Sequence, residues 1–512
     1  MLGRRVSPGR AVAALVGGVC AIAALPGSAA PLPAATIQAE TSLFAAAYGA
    51  IRSHYIEPLA GDAVAVAGLR QAIAPDPALS VTAERNLLVL RQRGTALFAT
   101  AAPAADDSQG WGWATAAVLD RARRYSPDIA ARPQPALDQA VINGSLALLD
   151  RFSRYAPPEV ATRRRDNRDG YGGIGVTLDS EAASVRIAMV LPDSPAAAAG
   201  IEGGDRITAI DGIAAVSMPA DGMAARLRGP VGSDVKLTVL RERRSYPLTI
   251  TLRRSRIVLK TVTMTYDDRV AVLRVTSFNA RTASNLAERI AEAHRRLGPA
   301  LRGLVLDLRG NPGGLVDQSV LVASLFIARG RVVSTTGRVP ESNQVFDAIR
   351  DRPVETLPLV VLVNGGSASA SEIVASALQD DHRAVIVGSS SYGKGTVQDV
   401  IHLPNQGELT ITWARLIPPG GYILHRHGVV PVVCTANITA AQEARPAAGL
   451  PRASLDDRGW EALRAQCPAS RIDRNVDLEV ARELLTDPAR YAQALGLEPG
   501  RPIEAAANTP LR

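Results

Sequence analysis

Residues 358–399, PLVVLVNGGSASASEIVASALQDDHRAVIVGSSSYGKGTVQD, constrain this chain more than any other stretch. Pro358–Val363 is a short apolar, β-branched run, the pattern of a buried strand. Asn364, Gly365 and Gly366 break it, and Ile373, Val374, Ala377 and Leu378 follow at helical spacing. Ser369 and Glu372 fit a capping box, which sets the helix start at about Ser369. A second apolar run and a glycine-rich loop complete the unit. The order is therefore strand, tight turn, helix, strand, loop. A serine at such a helix start lies beside backbone N–H groups that have no helical partner. The same groups can hold a developing oxyanion, so Ser369 is either a plain N-cap or a nucleophile.

A nucleophilic serine needs a base. No G-x-S-x-G elbow surrounds the cluster, and none of His54, His294, His382, His402, His425 and His427 is tied to it by a motif. Lys394 is the better candidate, because burial can lower a lysine pKa whereas arginine keeps its proton. Only three of the 57 basic residues are lysines, Lys236, Lys260 and Lys394, so a lysine between two glycines marks a position that requires one. The segment Gly388–Lys394 nearly spells a Walker A loop. That motif demands Ser or Thr after the lysine and then a helix; Gly395 and a strand-like alternation follow here, which excludes nucleotide binding.

GGSASASEIVASALQD followed by GSSSYGKGTVQ resembles the C-terminal processing peptidases, serine proteases of the tail-specific type. In that family nucleophile and lysine are 25 positions apart, and 394 − 369 = 25 selects Ser369 over Ser367 and Ser371. The family's supporting glutamine, four residues past the lysine, corresponds to Gln398. The resemblance continues through Asp307–Gly314, DLRGNPGG, and covers roughly residues 140–431. It implies acyl transfer by a Ser369/Lys394 dyad, with Gln398 positioning Lys394 by a hydrogen bond. Gly313 or Gly314 and the Ala370 N–H would be the oxyanion donors. Asp380 either orients the site or belongs to an exposed pair with Asp381. No cofactor is implied, and no metal-ligand spacing stands out; His425 and His427 alone are poor evidence for one.

Taken in order, residues 1–30 read as a secretory signal: Arg4, Arg5 and Arg10, then apolar Ala11–Leu25, then the small residues Gly27–Ala30. The expected location is the periplasm or cell envelope, with membrane association if the signal is not cleaved. Residues 36–165 are expected to be mostly helical, with loops around Pro75–Pro77 and Ala101–Gly112. Residues 166–256 carry short strands and turns of a small, partly open β-barrel resembling a PDZ domain. Tyr171, Gly172, Gly173, Ile174 and Gly175 include its carboxylate-binding loop, where a C-terminus would add as a strand. Residues 257–435 alternate strands and helices as an α/β core, and 436–512 form a helical extension. The fold class expected is thus multidomain α/β and β. Cys434 and Cys467 are the cysteines left after the signal, and in an exported chain they invite a disulfide.

A length of 512 residues exceeds one ordinary core. The formal charge of +8 is spread over short arginine groups such as Arg163–Arg165, expected to be solvated faces; no aromatic interleaving points to nucleic acid. The partners expected are protein substrates with exposed C-termini, with room for an adaptor or activator protein and for self-association. The alternatives are a non-catalytic envelope scaffold that binds C-termini and a crotonase-like acyl-CoA enzyme. The latter explains neither the PDZ-like unit nor the export signal.

Overall fold

The computed structural model describes residues 33–179, 185–349, 352–441, 444 and 452–496. The signal expected at 1–30 lies outside the described residues. Residues 33–52 and 59–149 belong to one compact unit; residues 53–58 and those from 150 onward belong to another.

The first unit contains the helix Ala34–His54 up to Arg52 and the helices Gly61–Ile73, Ser108–Tyr125 and Gln134–Leu146. Gly61–Ile73 and Gln134–Leu146 pack backbone to backbone. A Cβ on Gly68 would lie 2.7 Å from the Val141 carbonyl, and one on Gly144 2.7 Å from that of Ala67. Between these helices the mostly helical expectation fails. Leu79–Glu84, Leu87–Gln92 and Thr95–Ala101 form a three-stranded antiparallel sheet. Its two hairpins turn through Arg85-Asn86 (φ 47° and 65°) and Arg93-Gly94 (φ 49° and 85°). Positive φ at both central residues is the tight hairpin geometry usually signalled by Asn-Gly or Asp-Gly. Neither pair here carries that signal, which is why the sheet does not show in the sequence.

The second unit is built on a six-stranded sheet in the order Val262–Asp267, Val270–Val275, Gly303–Asp307, Leu359–Val363, Val385–Gly388, Val433–Cys434. The first pair is antiparallel and the rest are parallel. Successive residues of a strand face opposite sides. Leu304, Leu306, Val361 and Val363 pack with Leu286, Ile290, Ile373 and Val374 of the helices Thr282–Leu297 and Ala370–Asp380. Val305, Val360 and Leu362 pack with Val476, Val480, Leu484 and Tyr491 on the other face. A sheet covered on both sides needs unbroken apolar strands, and GLVLD and LVVLV are such strands. The C-terminal helices Asn475–Thr486 and Pro488–Ala494 are therefore the second layer of the core, not an appendage. Cys434 and Cys467 are joined as a disulfide between the last strand of the sheet and the end of the helix Asp457–Gln466.

A second sheet runs Val345–Asp347, Arg331–Gly337, Glu408–Ile417, Thr396–His402, with Arg154–Ala156 also paired to Glu408–Ile417. The small β-unit has the order Leu248–Arg253, Asp234–Leu240, Arg206–Ile210, Arg186–Val190, Val176–Asp179, which leaves Val176–Asp179 at an open edge. The boundary expected between 165 and 166 falls inside the helix Pro158–Asp169. Among the described residues no helix is long and apolar enough to cross a membrane.

Candidate active site

Three loops leave the C-terminal ends of three neighbouring parallel strands and converge. Gly303–Asp307 leads to the turn Leu308–Gly314, Leu359–Val363 to Asn364–Ser369, and Val385–Gly388 to the loop carrying Lys394. Asn364 joins the first two, its Oδ1 accepting from the Gly310 and Gly366 N–H groups at 2.9 Å each. Asn311 joins them again: its carbonyl accepts from the Ala368 N–H at 3.0 Å and from the Ser371 hydroxyl at 2.9 Å.

These bonds sort the three serines. Ser367 and Ser371 are fully buried, and their hydroxyls donate to the carbonyls of Leu308 and Asn311. Ser369 instead lines a pocket of about 520 Å³ together with Lys394, Gln398, Gly313 and Gly314. Its φ of 57° and ψ of −115° lie where L-residues are strained, a conformation that persists only if its surroundings hold it. Glu372 does so, accepting from the Ser369 N–H at 2.8 Å.

Glu372 does more than the capping box required. The same buried carboxylate accepts from the Gly393 N–H at 2.6 Å, the Lys394 N–H at 2.9 Å and the Ser391 hydroxyl. One side chain thus fixes the backbone of both Ser369 and Lys394. Burial pushes its pKa up, and the hydrogen bonds from Ser391, Gly393, Ser369 and Lys394 pull it back. This bridge spans 22 residues of sequence between Glu372 and Lys394, so only the folded chain reveals it.

Burial and, next, the charge of Arg154 lower the Lys394 pKa to about 8, with Glu372 and Asp150 acting in the opposite sense. Its Nζ lies 5.5 Å from the centre of the Phe152 ring. Gln398 does not hold Lys394 as expected. A register shift between Val397 and Gln398 interrupts the strand pairing there, and the Gln398 amide donates to Thr396 Oγ1 at 2.7 Å instead.

The two candidate glycines differ. Gly313 donates its N–H to Asn311 Oδ1 at 2.9 Å, whereas the Gly314 N–H has no acceptor among the described residues. Gly314 bridges Phe278 in parallel fashion, through the Gly313 carbonyl and the Leu315 N–H, which leaves its own N–H outside that pairing. The Ala370 N–H, first in its helix, is likewise without an acceptor among the described residues. A Cβ on Gly313 would stand 2.9 Å from that nitrogen, so a glycine is needed for the turn to approach it.

In the β-unit, Tyr171–Gly173 is not loop. It pairs antiparallel with Ser255–Ile257, because Tyr171 packs under Arg228 and Gly172 accepts from the Gly229 N–H at 3.0 Å. The loop narrows to Ile174 and Gly175 (φ 80°), which lead into the open edge strand. Asp380 holds the Gly420 N–H at 2.9 Å and is not part of the pocket wall. Among the described residues no three His, Cys, Asp or Glu side chains group as a metal site. The arginines of the pocket wall, Arg154, Arg164 and Arg168, carry no sequence signal; the run Arg163–Arg165 reads as a solvated face, and Arg164 departs from that.

Peptidase family S41 matches residues 269–434, and the PDZ domain matches residues 164–240. A carboxy-terminal-processing protease of Bartonella bacilliformis is 39% identical over 297 residues, 58% of this chain and 68% of the relative. A carboxyl-terminal-processing protease of a Synechocystis species is 34% identical over 326 residues, 62% of this chain and 75% of the relative. Among solved structures, a photosystem II D1 C-terminal processing protease is 25% identical, covering 77% of this chain and 92% of its own, with a TM-score of 0.39.

Proposed function

Because the chain belongs to peptidase family S41, as a carboxy-terminal processing serine protease with a PDZ domain, we propose that Ser369 and Lys394 are its catalytic dyad. Neutral Lys394 takes the proton of the Ser369 hydroxyl as Oγ attacks a peptide carbonyl near the substrate's C-terminus. The Gly314 and Ala370 N–H groups receive the oxyanion. Lys394 then gives its proton to the leaving amine, and water, deprotonated by the same lysine, hydrolyses the acyl-enzyme. The observation that carries this reading is Glu372, whose carboxylate locks a strained serine and a lysine of lowered pKa beside one pocket. Gln398 acts in the pocket wall, fixed by Thr396.

The PDZ domain selects the substrate. A C-terminus adds to the edge strand Val176–Asp179, with its carboxylate on the N–H groups that follow Gly173. Export to the periplasm or envelope is supported by the basic, apolar and small-residue segments of 1–30 and by a disulfide suited to an oxidising compartment.

The test compares the wild type with Ser369→Ala and Lys394→Ala on an unfolded protein substrate bearing an apolar or a charged tail. Cleavage is expected from the wild type alone, faster with the apolar tail. Wild-type rates from either variant would remove the dyad.

A further inference from the structure

We propose that Arg154 and Arg164 form a carboxylate-binding subsite within the catalytic pocket, so that the enzyme reads an acidic group beside the bond it cuts. The inference rests on Ser369 and Lys394 being the dyad. Both arginines line the same pocket as that pair. Arg154 comes from the short strand Arg154–Ala156, anchored on Glu408–Ile417, and Arg164 from the helix Pro158–Asp169.

The pocket holds more positive charge than its wall neutralises. Glu408 is the one acidic residue lining it, and it is already engaged: Arg165 lies 2.9 Å away, Arg168 4.0 Å and His402 3.5 Å. Arg168 is further occupied by Asp169 at 3.0 Å. Arg154 donates only to the Phe152 carbonyl, at 3.1 Å, and has no ion pair among the described residues. Arg164 has neither ion pair nor hydrogen bond among them, and its Nη1 is enclosed by protein without an acceptor. A guanidinium nitrogen shut away from water without a partner costs free energy, and a second cation nearby adds to the cost. Arg154 and Arg164 line the same pocket wall, and Arg154, though exposed, has its pKa lowered by the surrounding protein and, next, by the Arg164 charge.

A carboxylate removes both costs at once. It offers acceptors that match the guanidinium fork, and its charge offsets the repulsion. Two sources can supply it: the terminal α-carboxylate of a short leaving segment, or an Asp or Glu side chain near the scissile bond. A solvated face would leave the Arg164 nitrogens in water, and the enclosed Nη1 argues against that.

Three peptides with one cleavable core separate these possibilities. The first is amidated with Gln near the bond, the second amidated with Glu there, and the third has Gln and a free carboxylate shortly after the bond. Their kcat/KM values are compared for the wild type, Arg154→Gln, Arg164→Gln and Arg164→Lys, with thermal unfolding to verify each fold. The wild type should favour the second or the third peptide over the first by about tenfold or more, the scale of a charge-assisted hydrogen bond. Each glutamine substitution should bring that ratio towards one, and Arg164→Lys should keep part of it. A ratio of one in the wild type overturns the proposal. So does a preference that survives both glutamine substitutions, since it would then come from the PDZ domain. Dissociation constants of the same peptides are measured in a Ser369→Ala background with and without the arginine substitutions. Cleavage by Ser369→Ala at the wild-type rate, with an arginine-dependent binding preference, would count against the dyad and leave the subsite standing; cleavage by the wild type alone with flat ratios would do the reverse.

Discussion

Ser369 and Lys394 are held through their backbone N–H groups by one carboxylate, and the protonation state of Lys394 sets how the proposed reaction responds to pH. As the proposed base, Lys394 works only when neutral, and burial followed by the Arg154 charge brings its pKa to about 8. Below that value the ammonium dominates and kcat/KM should fall roughly tenfold per pH unit; above it the rate should level off. Arg154→Gln removes a charge that disfavours the ammonium, so the acid limb should move to higher pH, towards the ordinary lysine value of 10.5. A limb that stays in place would detach Arg154 from Lys394. At this scale the spacing of Ser369 and Lys394 was legible, because both residues lie in one continuous stretch. The second half of Glu372's role, the free N–H of Gly314 and the enclosed nitrogen of Arg164 were not, since each depends on which loop folds against which.

The loop carrying Lys394 is held from behind by the C-terminal extension. Ser390 Oγ donates to the Cys467 carbonyl at 2.5 Å, the Ser470 N–H donates to Ser389 Oγ at 3.1 Å, and Arg464 donates to the Ser391 carbonyl at 3.0 Å. Cys467 sits at the centre of this support and is tied to Cys434 across 33 residues. Closing a loop of that length removes entropy from the unfolded chain worth about 3–4 kcal/mol. A Cys434→Ser/Cys467→Ser protein should therefore unfold at lower urea concentration and also lose activity, because the lysine loop loses its backing. Stability lost with kcat unchanged would show that the loop is fixed by Glu372 alone. Elements with strong local patterns were readable here: the apolar strands of the main sheet, the helix after Ser369, and the helices around Leu478 and Ala489. The three-stranded sheet at 79–101 was hidden by turns built from Arg-Asn and Arg-Gly, and Tyr171–Gly173 by a partner strand more than 80 residues away.

Across the second unit, a sheet covered on both faces holds Ser369 and Lys394 on its strand ends, while the PDZ sheet keeps one edge open. The order of PDZ-like unit, α/β core and helical extension was legible from the alternation of strand and helix patterns. That the extension forms the second layer was not, because an amphipathic helix does not announce which face of a sheet it will cover. The open edge makes the last prediction. Gly175 accepts from the Leu191 N–H at 2.8 Å, and Thr177 stands opposite Met189, so these residues turn their backbone groups into the sheet. The alternation of an antiparallel ladder then turns the N–H and carbonyl of Val176 outwards, to the edge where a substrate tail would pair. Val176→Pro deletes that outward donor without removing a bond of the sheet, and its ring obstructs an added strand. On substrates that differ only in a free or blocked tail, the wild type should show a lower KM for the free tail, and Val176→Pro should bring the two KM values together, with kcat affected less. If the variant keeps its preference for the free tail, recognition does not run through strand addition at Val176–Asp179, and the carboxylate is read elsewhere, the arginines of the catalytic pocket being the next place to measure.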